Sequence, residues 1–560
     1  MDKPLSTVKK GDRTSLNQYI EKAIKENWQD LALTDFGGDS YRYADVACKI
    51  EKLHILFKEA GIAKGDKIAL CGRNCSQWAM AFLGAVTYGA VPVPLLHEFK
   101  PDNLHYLINH SDAKLLFVDA AIWKNLDPEL MKALEGVVNI SAYSLLLARN
   151  EQLAEAHSHI DELFGKKYPG EFTANDVHYP EPEPDDLALI NYTSGSMGFS
   201  KGVMVPYRAI ESNLRFSLEN IPFFNRTDNM ISMLPLAHLF GLVIEMLHPF
   251  VRGCHVNFLT RVPSPKVLLD AFAQIKPKLI ITVPLVIEKI IKKRVFPVLE
   301  KPLMRLLLHI PIVKGIILKK VKNQLYSAFG GNLCELIVGG AAFNREVSEF
   351  LHRIHFPVTE GYGMTECGPL ISYVRWQDSR IGSCGRVVDR MEVRIESNDQ
   401  QNVPGELWVH GDNVMLGYDK NEKDTASIMH DGWMNTGDLA TIDADGFIYL
   451  RGRSKNMILG PSGQNIYPEE IEQLINNLTY VNESIVVEED GKLVALVSPD
   501  ADSAKADGVD ESSLAGNIEQ AVKAINKNLP NYSQISAVRI HNEEFEKTPK
   551  HSIKRYLYQH

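Results

Sequence analysis

From Leu16 to about residue 450, short runs rich in Val, Ile and Leu alternate with segments whose apolar residues recur at helical spacing, and this alternation most narrows what the chain can fold into. Lys67 to Cys71, Leu115 to Val118 and Leu187 to Tyr192 read as buried strands. Asp45 to Ala60 has apolar residues three and four apart, and Gly61 and Gly65-Asp66 end the pattern just before the strand-like KIALCG. Helix, turn and strand in that order build α/β layers, with helices covering a sheet. A chain of 560 residues, 45% hydrophobic and 23% charged, has the means to bury a large core spread over several domains. Disorder, collagen and coiled coil are excluded by the same composition.

The texture changes near Met391. MEVRIES, GELWVHG and GFIYLRG are short β-type pieces punctuated by Pro404-Gly405, Asp431-Gly432 and Asp445-Gly446, which predicts a small all-β subdomain. Beyond Gly452-Arg453-Ser454-Lys455 come a helix signature, PEEIEQLINNL, two strands, ESIVVEE and KLVALVS, and a second helix from about Asn517 to Asn528. The expected class is therefore α/β: residues 1–451 hold two layered α/β subdomains and the β subdomain, and 452–560 form a small α+β domain. Asp500 to Gly516 is small and polar and reads as a surface loop.

Sixty Lys and Arg against seventy Asp and Glu give a formal charge of -10, so nucleic acid is not the expected partner. Seven scattered cysteines suit neither a disulfide framework nor a zinc pair and read as reduced thiols. The opening MDKPLSTVKKGDRTSLNQYI lacks the apolar run of a signal peptide, and no stretch of about 18 uncharged apolar residues follows. The cytoplasm is the expected compartment. One segment departs from the acidic balance: residues 289–322 carry ten Lys or Arg and only Glu300 on the other side, interleaved with LLLHIPIV and GIIL. That pattern fits a surface lying peripherally on an anionic membrane, and equally a helical hairpin with a solvated basic face.

The densest chemical signal is YTSGSMGFSKG, residues 192–202. Hydroxyls, three glycines and a lysine in one loop suit a polyphosphate, because bare N–H groups and small donors approach its oxygens while Lys supplies a point charge. It is not a Walker A loop, since the spacing differs and the VMV that follows favours a strand where that loop needs a helix. In EGYGMTE, residues 360–366, a carboxylate beside a hydroxyl and set among glycines can place Mg²⁺ and a donor on one phosphate.

These strings, with LPLAHLFG, GELWVHG, DGWMNTGD and GRSKNMILGPSGQNIYPEEIE, stand in an order that resembles the adenylate-forming superfamily of acyl- and aryl-CoA synthetases, peptide-synthetase adenylation domains and luciferases. The resemblance runs from about Leu16 to Tyr558 and is strongest to long-chain fatty acyl-CoA synthetases, whose small C-terminal domain is mobile. It implies that Thr193, Ser194, Gly195, Ser196, Gly198 and Lys201 hold the phosphates of ATP, and that His238 stands at the carboxylate end of an acyl pocket. It implies that Glu366 binds Mg²⁺, that Thr365 contacts the α-phosphate, and that Tyr362 and Gly363 lie against adenine with Gly339, Gly340 and Ala341. Asp438 and Arg453 would take the ribose, Lys455 would be the hinge, and Gly463 would sit where the thiol of CoA enters.

The sequence departs from the family at Met197, Ser200 and Leu285, and most at Ser552, where the family places the lysine that bridges carboxylate and α-phosphate. In an extended strand Lys550 and Lys554 share a face with Ser552, each Cα roughly 7 Å away. The resemblance implies a ligase that joins a medium- to long-chain fatty acid to CoA through acyl-AMP. Transfer to acyl carrier protein, a halt at acyl-AMP, and a non-catalytic nucleotide- or acyl-binding protein are the alternatives.

Overall fold

The computed structural model describes residues 13–194, 200–260, 265–459, 464–548 and 553–559. Its first sheet is the one the apolar runs predict. Val91–Leu95, Lys67–Cys71, Ala113–Val118 and Gly136–Asn139 pair in parallel, and Leu145–Ala148 closes one edge antiparallel. A parallel strand covered on both faces must be apolar on both; accordingly Ile68 to Cys71 and Leu115 to Val118 are all buried. Helix Tyr43–Glu59 covers this sheet through Val46, Ile50, Leu53 and Phe57, and Gly61 follows its end at a φ of 73°.

A second layer joins Asn229–Ser232, His255–Phe258 and Leu31–Asp35 in parallel, with Ser40–Arg42 antiparallel at the edge. A third holds Leu279–Thr282, Glu335–Val338 and Val358–Glu360, again parallel. The hairpin Leu187–Ser194 and Ser200–Pro206 carries the phosphate-loop string, and the short strand Gly417–Tyr418 is added to its second arm. One continuous apolar core links these layers: Phe57, Trp78, Leu189, Val205, Phe250, Ile337, Tyr362 and Met434 belong to it.

The β subdomain is an antiparallel sheet in which Met391–Glu396, Gly405–Gly411, Trp433–Ile442 and Ile448–Arg453 are successive neighbours. At the C-terminal end, Val481–Glu489 pairs antiparallel with Lys492–Pro499, which pairs in parallel with Ile535–Ile540. Helices Pro468–Ile475 and Glu511–Asn526 pack on this sheet around Ile471, Ile475, Val486 and Ile518.

One sequence expectation needs correction. Asp500 to Gly516 is not a loop: Asp500 caps helix Ala501–Ala506 by accepting from the Ser503 N–H, and the next helix begins at Glu511. Alanines favour helix without leaving an apolar stripe; Ala504 and Leu514 are buried in the core there and Val509 packs against it. The basic stretch 289–322 contains a helical hairpin, one of the two forms its sequence allows. Lys292 donates to the Asn476 carbonyl and to Asn477 Oδ1, and Lys293 pairs with Asp500 at 3.0 Å, so these two lysines of the stretch are engaged by the C-terminal α+β unit. The seven cysteines are free thiols, as expected.

Candidate active site

The strand hairpin places Thr193 opposite Lys201. Lys201 Nζ lies 2.7 Å from Asp424 Oδ2 and 4.7 Å from the centre of the Tyr418 ring, whose face attracts a cation. The Tyr418 hydroxyl donates to Glu366 Oε1 at 2.9 Å. Burial, reinforced by the Glu366 charge, pushes the phenol well above its ordinary value, so Tyr418 stays a proton donor to that carboxylate. Glu366 is 8% exposed and sits in the turn Thr365–Cys367, which the Met415 N–H holds by bonding the Glu366 carbonyl at 2.9 Å. An ammonium, an aromatic ring and a carboxylate thus form one continuous wall.

A second cluster adjoins it. Tyr362 donates to Asp438 Oδ2 at 2.6 Å, and Arg453 Nε stands 2.8 Å from Asp438 Oδ1. Strand pairing sets this up, since Asp438 and Arg453 face each other across the β subdomain. The Asp438 carboxylate raises the Arg453 guanidinium above its usual range, and Glu366 adds to that field. Tyr362 is buried, with its ring in the main core. Gly363 has to be glycine: a Cβ there would stand 2.1 Å from the Pro369 carbonyl oxygen.

Gly339, Gly340 and Ala341 leave the end of strand Glu335–Val338 alongside Gly361, whose N–H donates to the Val338 carbonyl at 3.0 Å. A Cβ on Gly339 would meet the Gly361 carbonyl at 3.2 Å and the Phe240 ring at 3.5 Å. Phe240 belongs to the loop that carries His238, so the LPLAHLFG string closes on the same ground.

Three side chains that were not among the candidate site residues hold this loop. Asn74 donates to the Leu234 carbonyl at 2.7 Å and accepts from the Leu236 N–H at 2.9 Å. Asn191, in the strand that leads to Thr193, donates to the Ala237 carbonyl at 2.7 Å. Glu245 Oε2 accepts from the N–H groups of Met233 and Leu234 at 2.8 and 2.9 Å. Asn191 interrupts an otherwise apolar strand, and a buried amide in such a run signals a structural bond; for Asp424, Tyr418 and Asn74 the sequence offers no comparable signal.

Burial pushes the Glu245 carboxyl up to about 8, against the two N–H donors. The folded state therefore retains a proton that the unfolded chain releases above about 4.5. This contribution to stability is complete below that value and is lost as pH rises through about 8. Glu245→Gln keeps an acceptor for the loop and removes the titration. Calorimetry should show the wild type losing several degrees more of Tm than the variant between pH 5 and 8; equal losses would contradict the assignment.

Of the residues picked from sequence, Thr193, Lys201, Gly339, Gly340, Ala341, Tyr362, Gly363, Thr365, Glu366, Asp438 and Arg453 gather on this connected surface, with His238 on the adjoining loop. Gly195, Ser196, Gly198, Gly463, Lys550 and Ser552 lie outside the described residues, as does the Ser194 side chain. Lys554 does not reach the site: its Nζ bonds Glu546 Oε2 at 2.9 Å within its own domain, while Arg555 pairs with buried Glu472. Lys455, exposed, occupies the turn Ser454–Asn456 between the β subdomain and the C-terminal unit.

Among the described residues no group of three or more His, Cys, Asp or Glu could hold a metal ion alone. One buried carboxylate with a single oxygen engaged by a phenol suits a cation that brings most of its ligands with it, as Mg²⁺ does on a polyphosphate.

Residues 20–419 match the family model described as AMP-binding enzyme, and 455–559 match that of the AMP-binding enzyme C-terminal domain. A long-chain-fatty-acid–CoA ligase of Mycobacterium bovis is 26% identical, covering 91% of this chain and 89% of its own. Long-chain-fatty-acid–CoA ligase 5 of Rattus norvegicus is 28% identical over 82% of this chain and 71% of its own. In fold, the chain is similar to ATP-bound MatB from Rhodopseudomonas palustris, with a TM-score of 0.75 at 21% identity over 97% of this chain and 98% of that one. It is also similar to the O-succinylbenzoate coenzyme A synthetase of Bacillus subtilis in complex with ATP and magnesium ion, with a TM-score of 0.73 at 19% identity over 96% and 98%.

Proposed function

The chain belongs to the AMP-binding enzyme family, and from that premise we propose that it activates a fatty carboxylic acid with ATP and passes the acyl group to the thiol of coenzyme A. The observation that carries this reading is the junction of two clusters, Lys201–Tyr418–Glu366 and Tyr362–Asp438–Arg453, which together offer a nucleotide a polyphosphate wall and a ribose wall. The medium- to long-chain class rests on relatives named as long-chain-fatty-acid–CoA ligases.

A carboxylate is a poor electrophile, and acylation of a thiol needs its oxygen turned into a leaving group. In the first step a carboxylate oxygen bonds to the α-phosphorus of ATP while the bond from that phosphorus to the bridging oxygen breaks, and pyrophosphate departs. In the second, the thiol sulfur bonds to the acyl carbon, the carbon–oxygen bond to AMP breaks, and the thiol proton is released. Lys201 faces the triphosphate and stabilises charge on the departing pyrophosphate once the nucleotide displaces Asp424 from it. Thr193, with the loop of Ser194, Gly195, Ser196 and Gly198, cradles the phosphates, and Thr365 donates to the α-phosphate. Tyr362, Gly363 and the Gly339 to Ala341 backbone bound the adenine, Asp438 accepts from both ribose hydroxyls, and Arg453 favours the charged form of Asp438 against the upward push of its burial. His238 orients the acid's carboxylate. Mg²⁺ held by Glu366 would supply Lewis-acid neutralisation of the phosphate oxygens.

We place the division between the two functional domains at 451/452, with Lys455 as the hinge about which the C-terminal domain turns to bring Gly463 to the thiol. The departure at Ser552 and the Lys554–Glu546 pair bear on the first step alone, and they favour adenylation slower than thiol transfer.

The test is pyrophosphate and AMP release across acids from acetate to oleate, with no acceptor, with CoA, and with acyl carrier protein. Release of pyrophosphate that peaks at one chain length, and of AMP that depends on CoA, is expected. AMP release that needs carrier protein instead would move the acceptor, and ATP binding without turnover of any acid would leave a binding protein.

A further inference from the structure

Beyond Lys292 and Lys293, which contact the C-terminal unit, the basic stretch ends in a helical hairpin, Pro302–Leu308 and Pro311–Ala328. No residue of the first helix is buried, and the second buries only Leu325, near its far end. Leu318, Val321 and Tyr326 pack against the core cluster of Phe272, Phe329 and Phe350, so the base is anchored while the tip stands clear of the protein. About thirteen residues, roughly 20 Å of helix, separate Ile312 from Leu325.

The tip is apolar and basic together. Leu303, Leu306, Ile312 and Ile316 are 69%, 66%, 79% and 64% exposed, with Ile310 in the turn between the helices also exposed. Soluble surfaces rarely leave so many large aliphatic side chains together in water. Lys301, Arg305, Lys314, Lys319 and Lys320 are exposed around them, and none pairs with a carboxylate among the described residues. From Lys301 to Cys334 the sequence has no acidic residue, in a chain whose net charge is -10. Behind the tip a shallow cleft of about 480 Å³ is lined by Ile316, Lys319, Lys320, Asn323, Gln324 and Ser327, donors at the level a headgroup phosphate would reach.

We propose that this hairpin tip docks the enzyme on an anionic lipid bilayer, its aliphatic residues entering the interface and its lysines meeting the headgroups. A protein partner would call for one apolar stripe facing a complementary groove. Here the exposed apolar side chains come from both helices and the turn with exposed lysines and Arg305 among them, a mixture that an anionic interface accepts in its headgroup and acyl layers together. The charge is of the sign anionic lipid attracts, each lysine or arginine near the surface strengthening binding about five-fold. The contact does not depend on the acyl-transfer chemistry.

The experiment is co-sedimentation of the full chain with vesicles of phosphatidylcholine alone and of phosphatidylcholine with phosphatidylglycerol, at low and high salt. Binding to the mixed vesicles, weakened by salt, is expected. The variants Leu306→Asp/Ile312→Asp and Lys314→Glu/Lys319→Glu/Lys320→Glu should each cut it at least about ten-fold. Both should release pyrophosphate from a water-soluble acid such as octanoate at the wild-type rate without vesicles, which separates lost docking from lost folding. Wild type that ignores every vesicle, variants that bind as well as wild type, or a tip that captures acidic carrier protein while ignoring vesicles would each overturn the proposal.

Discussion

Glu366→Gln is expected to lower acid-dependent pyrophosphate release by roughly three orders of magnitude, about 4 kcal/mol of transition-state stabilisation. The substitution keeps the shape of the side chain and an oxygen that still accepts from the Tyr418 hydroxyl, so the turn Thr365–Cys367 and its bond from Met415 should survive. What it removes is the buried negative charge, and with it the protein's grip on a divalent cation riding on the phosphates. Raising Mg²⁺ should restore part of the rate, since a weakened ligand raises the concentration needed without abolishing the step. Full activity at ordinary Mg²⁺, in a variant that melts like the wild type, would contradict the assignment.

Asp438→Ala should be nearly as severe and should act on the nucleotide. Asp438 is bonded by the Tyr362 hydroxyl and paired with Arg453, so its removal strips both of their partner and takes away the acceptor proposed for the ribose. Each hydrogen bond to a charged group is worth about 1.5 to 3 kcal/mol, so losing two from ATP should raise its KM by 100-fold or more. Asp438→Asn, which keeps the shape and one acceptor, should fall between. The two variants separate binding from folding: thermal stabilisation by added ATP should vanish in the alanine variant and shrink in the asparagine one. Unchanged ATP affinity in both would remove the ribose role.

The contrast between these residues and their neighbours explains what could be read from the sequence. Glu366, Tyr362, Asp438 and Lys201 sit in short strings where glycines and hydroxyls crowd around a charge, a local signature that a single sequence carries. Tyr418, in a short strand, and Asp424, in helix Glu422–Ile428, reach the same surface from elsewhere in the chain, and nothing in their own surroundings marks them; the pairing of Gly417–Tyr418 with Ser200–Pro206 brings Tyr418 between Lys201 and Glu366. The layered fold was legible for the same reason as the motifs. Parallel strands buried on both faces write themselves as uninterrupted apolar runs, as in Leu115 to Val118. Helix Ala501–Ala506 was not legible, because its small residues favour helix while leaving no periodic apolar face. The division of the basic stretch was hidden too, since Lys292 and Lys301 look alike until Asn476 and Asn477 are folded against the first of them.

The central claim is that this chain forms an acyl adenylate, and isotope exchange tests it most directly. Labelled pyrophosphate should enter ATP when a fatty acid and Mg²⁺ are present and no thiol is added, because formation of acyl-AMP is reversible and needs no acceptor. Exchange that requires the acid and collapses in Glu366→Gln is the expected result. Absence of exchange with every acid from acetate to oleate, in protein that ATP still stabilises, would contradict it.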